Sequence, residues 1–414
     1  MSDDYVQFRD QRYAAQKGFW DGTQRTVAPE QTWERIRPTF PIAGLTRVAN
    51  ITGLDRLGIP VMQSVRPNSQ SLTVSSGKGF SNIASKVSAA MEGIELFHAE
   101  QVEFAEVRCP WDALGNNRIP IEDLPLTRNS LFTPRLPIRW TDGWDLLAQE
   151  EVPVPCSVVQ MGTNRRRLLD LHSFQLTSNG LASGNSMLEA INAAMFEVIE
   201  RDAVTCHRVA WKVTKIPPPV VDLNSIEHPM VLELLDQFRR AELRVVLFDC
   251  TVDTEVPTYM AYVQDLVLRN VGVYRGYGAH LDPEIAMIRT LTEAAQSRAI
   301  YIAGSRDDAF RHSYLRLKEH DGDAASRSLD ALPVTVDGRD RKSEATPSFH
   351  GDTLLALSKL RAVGIDRVIV LDLSREDFPI NVVKIVIPGL EGYMFDFYIP
   401  GPRAQAFIAQ RQAS

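Results

Sequence analysis

The sequence predicts an α+β protein in which mixed β-sheets are flanked by long helices. From about Gly44 onward, short β-branched runs alternate with long amphipathic stretches. Two of those stretches look like copies of one supersecondary unit, so an internal repeat shapes the fold.

The elements follow in chain order. Residues 1–40 are polar and punctuated by Pro38 and Pro41, which predicts a short arm or helix. That arm is too short for a separate peptide-binding domain, and together with the start of the first unit it makes up residues 1–65. A helix is expected over residues 82–99, others over 186–208 and 282–303. The runs VVLFDC and YMAYVQD read as paired strands, and RVIVLDL and VVKIVIPGL as a second pair. A Pro- and Arg-rich loop covers about 110–140. The polar stretch from about 320 to 350 reads as a surface loop or partly disordered segment.

Composition narrows the function. With 414 residues, 44% of them apolar, the chain can bury a large core of two or three packed units. A formal net charge of -7 argues against a nucleic-acid binder, which concentrates Lys and Arg. No apolar run is long enough to span a bilayer, and the acidic start MSDDYVQFRD is not a signal peptide. Cys109, Cys156, Cys206 and Cys250 lie far apart without a CxxC pair, which fits a reducing cytoplasm rather than a zinc or disulfide framework.

The stretch SSGKGFS, Ser75 to Ser81, resembles the end of a phosphate loop. The standard loop needs G-x-x-x-x-G-K-[ST]. Here Leu72 stands at its first glycine and Gly79 at its hydroxyl residue, so the motif fails twice. The plain reading is a glycine turn with Ser81 capping a helix. The helix beyond the turn shifts the balance. GFSNIASKVSAAMEGIE and the later GNSMLEAINAAMFEVIE align at one offset: Gly79 with Gly184, Glu92 with Glu197, Glu95 with Glu200. Each E-x-x-E pair lies on one helical face among Ala84, Val87, Ser88 and Met91, or among Ala190, Ala193 and Ala194. A solvated acidic face is the usual meaning of E-x-x-E, but carboxylates on so apolar a face require a compensating cation. In TLTEAAQSRAI, Glu293 and Gln296 share a face with Arg298 nearby, and Arg201 follows Glu200. Carboxylates for Mg2+ and basic groups for phosphate point to a magnesium-bound polyphosphate. Lys78 and the turns at Gly77–Gly79 and Gly184–Asn185 are placed to meet its phosphates. A di-iron reading of Glu95 and His98 (E-x-x-H) needs a second copy, and Ala203 stands there instead. His98 therefore reads as structural, and Cys206 as a buried small residue rather than a sulfur carrier.

GKGFSNIASKVSAAMEGIE, SNGLASGNSMLEAINAAMFEVIERDA, GAHLDPEIAMIRTLTEAAQSR and IVIPGLEG resemble, in that order, the signature segments of the YcaO superfamily. The resemblance implies a YcaO-type fold over residues 66–400, built around a Mg-ATP site. It implies phosphorylation of a peptide backbone amide oxygen by ATP, followed by attack of a nucleophile on the activated carbon. Cysteine, serine or threonine side chains would give azolines, and external sulfide a thioamide. Position by position, it implies that Glu92, Glu95, Glu197 and Glu200 bind Mg2+. Lys78, Ser88, Ser183, Asn185, Glu189, Arg201, Gln296 and Arg298 become ATP contacts, and Glu293 serves metal or nucleotide. No catalytic acid, base or nucleophile is assigned.

Departures from the family pattern narrow the subclass. Azoline-forming members end in P-x-P-x-P, whereas residues 401–414 end in FIAQRQAS. Leu96 follows the first E-x-x-E where many members carry arginine. The run IELFHAE resembles members that work with a TfuA protein supplying sulfide. The expected function is thus thioamide formation on a precursor peptide, in a ribosomal peptide pathway. The expected partner is a TfuA-like sulfur-delivering protein or a separate leader-binding protein, with no nucleic acid or membrane. A homodimer is implied by the resemblance. The alternatives are an azoline cyclodehydratase and, from another class, a non-catalytic peptide-binding scaffold.

Overall fold

The computed structural model describes residues 4–162, 173–268, 272–307, 329–392 and 398–413. The chain opens with two small hairpins, β1 (Val6–Phe8) with β2 (Gln11–Tyr13) and β3 (Gly18–Trp20) with β4 (Thr23–Arg25), followed by α1 (Pro29–Ile36). Strands β5 (Arg47–Asn50), β6 (Val61–Val65) and β7 (Val74–Lys78) form a three-stranded antiparallel sheet under α2 (Asn82–Gln101). Next come β8 (Val107–Cys109), β9 (Ile138–Asp145), β10 (Glu150–Pro155), β11 (Leu181–Gly184) and the longest helix, α3 (Met187–Thr214). The third unit holds β12 (Val220–Asp222), α4 (Pro229–Arg240), β13 (Leu243–Asp249), β14 (Thr258–Asp265), β15 (Val273–Ala279) and α5 (Pro283–Ala303). The chain closes with β16 (Val334–Asp337), α6 (Phe349–Ala362), β17 (Ile369–Asp372), β18 (Asn381–Val386) and α7 (Pro402–Ala413).

Two larger sheets complete the scaffold. One runs β10-β9-β17-β18-β11 with β8 also on β9, and the other β15-β14-β13-β12-β16. Both expected strand pairs form, β13 against β14 and β17 against β18, each antiparallel. Each long helix lies on its own sheet: α2 on β6 and β7, α3 on β11 and β18, α5 on β14 and β15. Small residues allow this close packing. A Cβ on Gly77 would stand 2.0 Å from the amide nitrogen of Ala89, and one on Gly276 2.1 Å from the carbonyl oxygen of Thr290. The helix faces turned to the sheets are correspondingly lean and dry: Ala89, Ala90, Ala190, Ala194, Ala286 and Ala294 are fully buried.

Three expectations need amending. The N-terminal arm is two hairpins and a helix rather than a single arm or helix, because residues as far apart as Lys17 and Thr346 hold it to the body. Of the stretch expected to be irregular over about 320–350, residues 320–328 lie outside the described residues, but β16 pairs in parallel with β12 and α6 begins at Phe349. The segment 401–414, expected as a tail, forms α7 over most of its length. Its Ala404 and Phe407 pack against Ala203 and Cys206, so burial of that face offsets the cost of ordering it. Among the described residues, no helix is long and apolar enough to cross a membrane.

Candidate active site

The three long helices begin in the same way. Ser81 accepts from the Ala84 amide, Ser186 from the Glu189 amide, and Asp282 from the amides of Glu284 and Ile285. Each is an N-cap that closes the first turn of the helix after a strand. Counted from these caps, Glu92, Glu197 and Glu293 each stand at the eleventh following position, and Glu95, Glu200 and Gln296 at the fourteenth. The repeat therefore has three copies, not the two read from the sequence. The third escaped notice because Gln296 replaces the second glutamate and Asp282 replaces the serine cap. Three strand-turn-helix units thus aim equivalent positions at one cleft of about 850 Å3.

Lys78, Ser88, Glu92, Glu95, Ser183, Asn185, Glu189, Glu197, Arg201, Glu293 and Gln296 all line this cleft. Glu200 sits just behind, 2% exposed, with the Arg201 Nε 3.9 Å from its carboxylate. Arg298 does not belong. It is 2% exposed and bonded to Asp55 at 2.8 Å and Asp265 at 2.9 Å, outside the cleft lining. The structure does not bring the expected ATP contact Arg298 into the cleft: Asp55, in the loop before β6, and Asp265, at the end of β14, neutralise it where it stands. His98 is buried, its Nδ1 2.8 Å from the Ile94 carbonyl oxygen, and burial lowers its pKa to about 4, as a structural histidine requires. Burial pushes the Cys206 thiol well up, so it is no ready thiolate.

Electrostatically, the cleft floor has a surplus of negative charge. Glu92 accepts one bond from the Ser76 amide at 3.0 Å, and Glu95 accepts from the Ser183 amide at 2.8 Å and hydroxyl at 2.5 Å. Glu197 accepts only a long bond, 3.4 Å, from the Gly180 amide. None of these three forms an ion pair among the described residues. Burial pushes the Glu92 carboxyl up to about 7 and Glu95 to about 8, with Glu92 and Glu197 adding to the rise at Glu95. Burial likewise raises Glu200 to about 7, against the pull of Arg201. Glu293 goes the other way. Burial alone would raise it, but Lys78, bonded to it directly, and Arg201 outweigh that and hold it below its ordinary value. Glu293 therefore stands with the cations, as the holder of Lys78.

The sequence reading missed part of the lining. Trp20, Asp21, Arg25, Val27, Pro29 and Thr32 bring the N-terminal hairpin and α1 over the cleft. Thr26 donates its amide and hydroxyl to Glu189 at 2.9 and 2.8 Å, Arg25 Nε lies 3.6 Å from Glu189, and the Thr32 hydroxyl is 3.2 Å from Asn185 Oδ1. No local signal marks this strap, since its contacts span more than a hundred residues of sequence. Arg289, also in the lining, was findable: it precedes Glu293 by one helical turn and so shares its face.

Among the described residues, no three His, Cys, Asp or Glu side chains converge tightly enough to cage a cation alone. A hard divalent cation that takes one or two carboxylates together with phosphate oxygens asks for no such cage. The donor set fits it. The raised carboxyls of Glu92 and Glu95 are all-oxygen ligands outside any ion pair among the described residues, although Arg306 and Lys78 pull on Glu92. Lys78, Arg25, Arg201, Arg289 and Arg306 stand around the same cleft for an anion. Its volume suits a small-molecule ligand.

Comparison with known proteins bears on this geometry. A family model described as YcaO cyclodehydratase, ATP- and Mg2+-binding, matches residues 76–391. An uncharacterized protein of Methanothermobacter thermautotrophicus is 35% identical over 393 residues, covering 93% of this chain and 99% of that one. An uncharacterized protein in the tfuA 3′ region of Rhizobium leguminosarum bv. trifolii is 33% identical over 394 residues, covering 90% of each. The YcaO from Methanopyrus kandleri, bound with AMPPCP and Mg2+, has the same fold: TM-score 0.71, 24% identity, 93% of this chain and 98% of that one. A heterocyclase in complex with substrate and cofactor aligns with TM-score 0.77 and 22% identity over 98% of this chain, which spans only 57% of the heterocyclase's length.

Proposed function

Because the chain belongs to the YcaO family, we propose that it uses ATP and Mg2+ to activate a peptide backbone amide and that the nucleophile is sulfide, giving a thioamide. The observation that carries the ATP-dependent part is the cleft floor itself. Among the described residues, Glu92, Glu95 and Glu197 are held outside any ion pair on two equivalent helices, with Glu200 behind them, beside Lys78, Arg201, Arg289 and Arg306. The observation that favours sulfide is the similarity to a protein encoded in a tfuA 3′ region.

In this reading Glu92, Glu95, Glu197 and Glu200 hold Mg2+, which when bound screens the polyphosphate and polarises the phosphoryl group. Lys78, kept in place by Glu293, and Arg201 face the phosphate oxygens. Ser88, whose oxygen accepts the Lys78 amide at 3.3 Å, and Gln296, which donates to the Ser76 carbonyl at 2.5 Å, fix the glycine turn beside them. Asn185 and Glu189 are engaged by the strap, and Ser183 by Glu95, so they shape the site as well as offering contacts. The substrate amide oxygen attacks the γ-phosphorus and ADP departs. Sulfide adds to the activated carbon, and breakage of its bond to the phosphorylated oxygen releases phosphate and leaves C=S. The precursor peptide, a TfuA-like sulfur donor and a second copy of the chain are the proposed partners. The four cysteines are free, which supports a cytoplasmic location.

Azoline formation is the second reading, favoured by the family's description as cyclodehydratase. Mass spectrometry separates them after incubation with ATP, Mg2+, sulfide, precursor peptide and the TfuA-like partner. Exchange of one oxygen for sulfur supports the thioamide. Loss of one water from the peptide replaces it with the azoline reading.

A further inference from the structure

We propose that the C-terminal helix α7 is a positioning element of the cleft, acting through the Arg403–Asp202 ion pair on Glu200 and Arg201. This rests on the function proposed above. Asp202 directly follows those two residues on α3 and is fully buried. Both its oxygens accept from Arg403 Nε, at 2.9 and 2.8 Å, and Oδ1 also accepts the Glu391 amide at 2.9 Å. The far edge of the guanidinium reaches Asp253, with Nη1 at 3.1 Å. Glu391 in turn closes the start of α7: its carboxylate accepts the amides of Gly401 at 3.1 Å and Ala404 at 2.8 Å, and the Tyr398 hydroxyl. One turn further along α3, the Thr205 hydroxyl holds the Gly392 carbonyl at 2.8 Å. The stretch of α3 just past its glutamate pair is thus clamped from outside by the end of the chain.

The other two helices also carry buried ion pairs: Arg298 stands at the position of α5 that Asp202 occupies on α3, sixteen past the cap, while Glu100 lies one turn further along α2. On α2, Glu100 pairs with Arg66 at 2.6 Å; on α5, Arg298 pairs with Asp55 and Asp265. Each buried pair lies just past the carboxylate or amide positions that its helix aims at the cleft. Arg66, at the end of β6, comes from the sheet under α2, while α5 is held by Asp265 at the end of β14 and by Asp55 in the loop between β5 and β6. Among the described residues, α3, which carries Glu197, Glu200 and Arg201, is the one of the three whose buried partner comes from a separate helix. Buried ion pairs are poor sources of net stability and can instead fix geometry, as replacement by apolar residues is often neutral. A displacement of about 1 Å at reacting groups is enough to cost two orders of magnitude in rate, so the register of α3 matters more than its mere presence.

The test measures ATP-dependent phosphate release and Mg-ATP binding for the full chain, well below the melting temperature of the least stable variant. Arg403→Met is expected to lower kcat/KM for ATP at least tenfold, about 1.4 kcal/mol, with Arg403→Lys recovering part of the loss. Asp253→Asn frees the exposed edge of the guanidinium without stranding a buried charge, so it folds even if Arg403→Met does not. It is expected to lower kcat/KM several-fold, whereas Gln412→Ala on the exposed face of α7 leaves it unchanged. Folded Arg403→Met or Asp253→Asn protein with wild-type kcat and KM, and only a lower melting temperature, overturns the proposal. A wild-type protein that neither binds nor turns over ATP instead overturns the proposed function, and this inference with it.

Discussion

Replacing Glu95 by Gln keeps the side-chain shape and an oxygen for the Ser183 amide, and removes one buried negative charge. Burial holds this carboxyl near 8 against an ordinary 4.5. Between those values it is protonated in the fold and ionised in the unfolded chain. Its contribution to stability is therefore complete below the lower value and is lost as pH rises through the upper one. From about pH 6 to about pH 8.5, this one group should destabilise the ligand-free protein by about 2–3 kcal/mol. Thermal melts across that range, with and without ATP and Mg2+, read the effect directly. Without ligand, the wild type should melt lower as pH rises. Glu95→Gln should show a flatter dependence and melt above the wild type at the alkaline end. Turnover should fall at least a hundredfold, about 2.7 kcal/mol of transition-state stabilisation, because the variant lacks a charge that a hard cation needs. Wild-type turnover in the variant, or a wild-type melting temperature that climbs with pH, would show that Glu95 is a solvated or already compensated carboxylate.

The same raised carboxyls predict that Mg-ATP affinity strengthens from about pH 6 to about pH 8.5 and that binding releases protons; calorimetry in buffers of different ionisation enthalpy measures both, and a pH-independent affinity contradicts it. Arg298→Met should cost about 3–5 kcal/mol of folding stability by stranding Asp55, since Asp265 keeps Arg56 at 2.7 Å, while the folded fraction binds ATP as the wild type does in titration calorimetry. Lys78→Met should destabilise the ligand-free protein by leaving Glu293 unpaired. Adding Glu293→Gln should restore the melting temperature but not the turnover, and recovery of both would reassign Lys78 to a purely structural role.

Much of this was legible because it is local. The spacing of Glu92 and Glu95, or of Glu197 and Glu200, fixes a shared helical face whatever the rest of the chain does. The β-branched runs and glycine turns similarly announce strands and helix starts. What stayed hidden was set by distant partners. Nothing near Arg25 or Thr26 indicates that they will meet Glu189, and nothing near Arg298 that Asp265 will neutralise it. The resemblance to family segments supplied the reaction, which no spacing could. It also carried Arg298 into the nucleotide site, where the fold does not put it.

Two glutamates on one helix show why residue type and spacing stop short of function. Glu95 and Glu100 lie on α2 little more than one turn apart, Glu95 half-buried on the cleft and Glu100 buried. Burial works to raise both carboxyls. At Glu100, Arg66 at 2.6 Å and the hydroxyls of Ser69 and Ser71 outweigh burial and pull its pKa down, so its charge is spent on holding the helix. At Glu95 there is only Ser183, with Glu92 and Glu197 adding their own negative charge, and the carboxyl stays raised. A buried carboxylate that the protein has not compensated is costly in the ligand-free state. It is kept where a ligand brings the missing positive charge. The difference between a strut and a binding group is thus the placement of cations around acids on one helix: the fold sets Arg66 against Glu100 and Arg403 against Asp202, and leaves Glu92, Glu95 and Glu197 on the cleft side without an ion pair among the described residues.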